Sequence, residues 1–148
     1  PTQGTLITRH IADWPLGFYA HRRLVDAHGL PTLATLAQHR WVGFDQSTQM
    51  LDGFRAAGHA VDRRFFALRC DSQPVNLAMV RAGVGIGVVM VPLARRLPEL
   101  VPVLPELQLP VLPVWLTAHR ELRASRRLKV VFDHLAAGLR AWGDDASA

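Results

Sequence analysis

The chain has 148 residues, 49% of them hydrophobic and 20% charged, which is enough for one buried core. No run of about 18 apolar residues is free of charge, so no membrane span is expected, and residues 1–10 lack the basic start and apolar core of a signal peptide. The one cysteine, Cys70, excludes an intrachain disulfide and fits a reducing cytoplasm; the net charge of +5 suits an anionic partner, although basic residues spread along the chain read more simply as solvated faces.

In chain order, strands are expected over Gly4–Ile11 and Leu16–Ala20. A short helix over His21–His28 ends at Gly29, with Pro31 beyond it, and Thr32–Gln38 reads as a second short helix. Trp41–Phe44 is a predicted strand, Ser47–Ala57 a helix closed by Gly58, and Arg63–Cys70 another strand. Asp71 and Ser72 are cap residues for a helix in which Pro74 is tolerated in the first turn. Gly83 stands where a left-handed residue ends that helix, and the apolar run Ile86–Val91 forms a strand bounded by Pro92. A strand apolar on both faces belongs inside an α/β sheet. Leu100–Val103 and Leu112–Thr117 are extended. Ser125 caps a last helix whose Leu128, Val131, Phe132, Leu135, Leu139 and Trp142 form one apolar stripe, and residues 143–148 make a frayed tail.

Several motifs can be set aside. Gly83, Gly85 and Gly87 imitate a dinucleotide fingerprint, but here a helix precedes the glycines and a strand follows them, the reverse of what that site needs. Residues 20–40 imitate a helix-turn-helix, yet the second helix offers few base-reading side chains near its start. The seven histidines lack metal-ligand spacing, and no nucleophile elbow, phosphate loop or carboxylate pair is present. No cofactor is therefore expected. Asp45 and Asp71, each after a strand, are candidate general bases, but ligand binding at strand ends explains them with fewer assumptions.

Three blocks occur in series: FYAHRRLVDAHGLPTLATLAQHRWVGF (18–44), RAGVGIGVVMVP (81–92) and PVWLTAHRELRASRRLKVVFDHLAAGL (113–139). Together they resemble the effector-binding domain of a LysR-type transcriptional regulator, over about Leu16 to Trp142. The resemblance implies an α/β, type 2 periplasmic-binding-protein-like fold with one complete lobe and part of the second. Residues 1–20 would end the first lobe and cross over. Residues 21–110 would form the second lobe, and residues 111–142 would cross back and supply the first lobe's last helix, ahead of a tail at 143–148. It further implies a small effector, carboxylate-bearing if the helix start at Ser72 is used, and a homodimer or tetramer in the cytoplasm. DNA would be bound only by a winged helix-turn-helix that this N-terminally truncated chain lacks. By position, the ligand contacts would be Asp45, Gln46, Ser47, Arg69, Asp71, Ser72 and Gln73, with His21 and His119 closing the crossings. A solute-binding protein of the same fold, or an enzyme on a related two-lobe fold, stays open as an alternative.

Overall fold

Short segments of alternating or continuous apolar residues give seven strands among the described residues, with five helices set between them. The computed structural model describes residues 6–119 and 125–144. In order they form β1 (Leu6–Trp14), β2 (Leu16–His21), α1 (Arg22–His28), β3 (Trp41–Gly43) and α2 (Gln49–Ala56). Then follow β4 (Phe66–Arg69), α3 (Gln73–Arg81), β5 (Gly87–Met90), α4 (Val91–Ala94), β6 (Leu100–Val103), β7 (Leu112–His119) and α5 (Arg126–Asp144). The chain divides into two units, Leu16–Pro110 and the flanking Pro1–Pro15 with Val111–Ala148.

The larger unit is layered because β2 is apolar on both faces. Phe18 and Ala20 enter one cluster with Trp41, Phe54, Phe66, Ile86 and Val103, while Tyr19 enters another with Val80, Val89, Ala94 and Leu100. Helices therefore cover both sides of the sheet, α2 on one and α3 with α4 on the other. β2 lies between β5 and β6, antiparallel to both, and β3 pairs with β4 in parallel. A parallel bridge from Trp41 to Ile86 joins the two sets, with Val42 N–H donating to Ile86 O and Ile86 N–H to Arg40 O, both at 2.8 Å. Pro102 lies on the edge strand β6, where a missing donor is harmless. Burial pushes the Tyr19 hydroxyl above its ordinary range, against the pull of Arg95.

Gly83 behaves as its position predicts. Its φ is +73°, its N–H donates to Val80 O and the next N–H, of Val84, reaches back to Met79 O, so the last carbonyls of α3 are satisfied in a Schellman motif. The other two glycines of the triplet serve close packing: a Cβ on Gly85 would stand 2.7 Å from Arg40 O, and one on Gly87 would stand 2.5 Å from the Val80 side chain.

Other expectations are corrected. Thr32–Gln38 forms a turn and then a single 3-10 turn, Leu36–Gln38, because the Thr35 hydroxyl takes the Thr32 N–H at 2.9 Å and competes with a helix. No second helix of a helix-turn-helix is thus present in residues 20–40. The strand expected from Arg63 starts only at Phe66, since Asp62 accepts from Arg64 N at 2.7 Å and caps a 3-10 turn over Arg63–Phe65. The run from Ile86 leaves the sheet after Met90, and Pro92 sits in the first turn of α4 rather than beyond a strand. β1 runs on to Trp14 past a bulge at Ile11, while Gly4 and Thr5 lie outside the described residues.

In the smaller unit β1 pairs antiparallel with β7, and α5 packs on β1. Ser125 caps α5, its hydroxyl accepting from Leu128 N at 3.5 Å. The stripe expected to be uniform is split. Ala136 is buried and Phe132 and Leu139 half-buried, whereas Leu128, Val131, Leu135 and Trp142 remain exposed. The helix runs through Asp144, and residues 145–148 lie outside the described residues.

Candidate functional site

Strand directions decide which candidate residues meet. β3 and β4 run parallel, and β5 follows the same direction through the Trp41–Ile86 bridge. Their C-terminal ends share one edge of the sheet with the start of β2, because Leu16 stands opposite Met90. Loops leaving strands at such an edge are where open α/β sheets take ligands.

Asp71 organises that edge. Its carboxylate accepts from the backbone N–H of Asp45 at 3.0 Å, of Gln46 at 3.0 and 3.2 Å, and of Ser47 at 3.4 Å. Three successive amides converging on one carboxylate make an oxyanion nest, here filled by the protein's own side chain. Asp71 was expected to cap α3; instead it ties the β4–α3 turn to the loop after β3. Arg69 Nε stands 3.6 Å from Asp45 Oδ1, an exposed pair. Ser72 holds the N-cap position of α3, but its hydroxyl makes no capping bond. It is therefore available to a ligand beside the first-turn N–H groups of Gln73 and Val75, which have no partner within the helix. Asp45, Gln46, Ser47, Arg69, Asp71, Ser72 and Gln73 thus lie together and exposed, on the loop after β3 and from the end of β4 to the first residue of α3.

The family model described as LysR substrate binding domain matches residues 1–140. The chain belongs to that family. It is a ligand-sensing module of the LysR type, with the periplasmic-binding-protein-like type 2 fold. The regulatory domain of CrgA, a LysR-type transcriptional regulator from Neisseria meningitidis, matches with a TM-score of 0.72 at 21% identity, over 94% of this chain and 71% of that one. A longer structure of CrgA matches with a TM-score of 0.70 at 21% identity over 93% of this chain, which spans 49% of its length. The AmpR effector binding domain from Citrobacter freundii gives a TM-score of 0.70 at 14% identity, over 92% of this chain and 68% of that one. No curated protein matches the chain at a significant level.

His21, also an expected contact, does not share that edge. His21 ends β2 opposite Leu100, on the far edge of the sheet from Leu16. Six strand residues put it about 17 Å from that edge. There its Nδ1 accepts from Arg23 N at 3.0 Å and caps α1. His119 ends β7 opposite Leu6, in the smaller unit.

One residue that shapes the candidate site gave no signal in the sequence. Asn76, in the first turns of α3, is buried, and its amide donates to Cys70 O at 2.8 Å. Cys70 N–H in turn donates to Gly43 O at 3.0 Å. Asn76 thereby fixes the turn that carries Asp71 and Ser72. A lone asparagine within a helix reads as neutral filler until its carbonyl partner is known. No group of three or more His, Cys, Asp or Glu able to hold a metal occurs among the described residues. None of their helices is long and apolar enough to cross a membrane.

Proposed function

We propose that this domain binds a small carboxylate-bearing effector at the β3–β4 edge and passes the binding event to DNA. The observation that supports this is the exposed start of α3, where the Ser72 hydroxyl makes no capping bond and Arg69 stands beside the loop that Asp71 anchors. The same loops that satisfy the Asp71 carboxylate present the Ser72 hydroxyl, the first-turn N–H groups and the Arg69 guanidinium to an incoming anion. The helix end contributes about 0.3–1 kcal/mol, and each charge-assisted bond adds about 1.5–3 kcal/mol. Arg69 can exchange its exposed contact with Asp45 for a bidentate one with the ligand, at small cost because exposed pairs are weak.

In the complete protein, a winged helix-turn-helix outside this chain would contact DNA, in a cytoplasmic homodimer or tetramer whose geometry shifts with effector. The binding step has no need of a catalytic residue or cofactor. The test is isothermal titration of the complete protein against small aliphatic and aromatic carboxylates and their amide counterparts. A saturable carboxylate, with affinity reduced about tenfold or more by Arg69→Ala and by Ser72→Ala, is the expected result. Equal binding of the amide, or affinity untouched by both variants, defeats the proposal.

A further inference from the structure

The larger unit has a concave surface at the edge of its sheet opposite the β3–β4 loops. α1 forms one wall through Arg23, Leu24, Ala27 and His28, with His21 at its base, and the end of α3 forms the other through Arg81. The depression holds about 390 Å³, at the lower end of ordinary small-molecule sites.

Its charge is unbalanced. The side chains of Arg23 and His28 make no hydrogen bond or ion pair among the described residues. Arg81 uses Nε to hold Glu99 at 2.6 Å, which leaves both terminal guanidinium nitrogens unengaged among those residues. Glu99 offsets one positive charge, its carboxyl held below the usual range by its own backbone N–H and then by Arg81. Asp26, though on α1, does not line the depression. Because His21 Nδ1 accepts the Arg23 N–H, the proton of the neutral ring sits on Nε2, so this side chain too is a donor. Two guanidiniums and two imidazoles thus face a space with one acidic group, beside the aliphatic Leu24 and Ala27.

We infer that this depression is a second ligand site, for the phosphate dianion of a small phosphorylated metabolite. Planar guanidinium forks match phosphate oxygens in pairs, and a doubly charged tetrahedral group uses two of them where a single carboxylate uses one. The aliphatic wall fits a short carbon skeleton. His21 then serves this site instead of the effector edge for which its place after the crossing strand suggested it. The site does not depend on the proposal for the β3–β4 edge.

Titration of the complete protein with glycerol 3-phosphate at constant ionic strength tests the inference, with glycerol and inorganic phosphate as companions. Saturable binding of glycerol 3-phosphate and none of glycerol is expected. Arg23→Ser should weaken it about tenfold or more, His28→Gln should weaken it measurably, and Arg64→Ser, an exposed cation outside the depression, should leave it unchanged. Arg23 and His28 are exposed, so both variants should fold, which circular dichroism verifies. Inorganic phosphate binding that is likewise lost in Arg23→Ser supports the dianion as the recognised group. Absence of saturation, or affinity equal in Arg23→Ser and the parent, overturns the inference.

Discussion

Asp71 shows how one side chain can be satisfied in a way its neighbours in sequence do not reveal. An aspartate just before a helix has a local partner within three residues, the helix N–H groups. Here it takes amides about 25 positions earlier, because β3 and β4 end side by side. Asp71→Asn keeps the shape but removes the charge that draws three donors together. Its expected cost is about 1–2 kcal/mol, below the sum for three charged bonds because the group is exposed. Amide hydrogen exchange at residues 45–47 should quicken in the variant; unchanged exchange would mean the carboxylate does not hold the loop. Asn76→Ala should cost about 1–3 kcal/mol through the unpaired carbonyl of Cys70, measured by urea unfolding.

Two glycines in the same block carry different loads at the element scale. Gly83→Ala places a Cβ in left-handed backbone with room around it and should cost about 1 kcal/mol. Gly85→Ala meets Arg40 O at 2.7 Å, and backbone cannot swing aside as a side chain can. It must push β3 from β5 at the bridge that joins the two parts of the sheet, so about 1–3 kcal/mol or more is expected. Thermal or urea melts of the pair give the order; a costlier Gly83→Ala would contradict the packing argument. Trp41 lies at the centre of that junction, fully buried, with ring contacts to Phe18, Phe54 and Phe65 at 5.1–5.3 Å and its indole N–H on Leu36 O at 2.8 Å. Trp41→Ala should cost about 3–5 kcal/mol.

At the scale of the whole molecule, the two units bury apolar surface very unequally. Two apolar clusters fill the larger one. The smaller leaves Trp115, Val131 and Leu135 about half exposed, at 57%, 52% and 46%. Exposed large apolar side chains of this kind promote association. Val131→Gln and Leu135→Gln should therefore reduce light scattering of this chain in solution while changing its stability by no more than about 0.5 kcal/mol. A large loss of stability instead would show that these side chains are covered in solution.

The sequence by itself determined the alternation of elements, the end of α3 at Gly83, the cap at Ser125 and the three blocks that resemble the LysR family. Those signals are local, written in caps, periods and turns spanning a few residues. The candidate loops at Asp45–Ser47 and Asp71–Gln73 were also legible, as residues following strands. Tertiary structure alone decided their relation: parallel pairing of β3 with β4 turned Asp71 from a cap into the anchor of a distant loop. The antiparallel course of β2 carried His21 to the opposite edge, and packing against one face only split the stripe of α5. Each of these depends on pairing direction or on what lies across from a side chain, and neither is contained in the spacing of residues along one element.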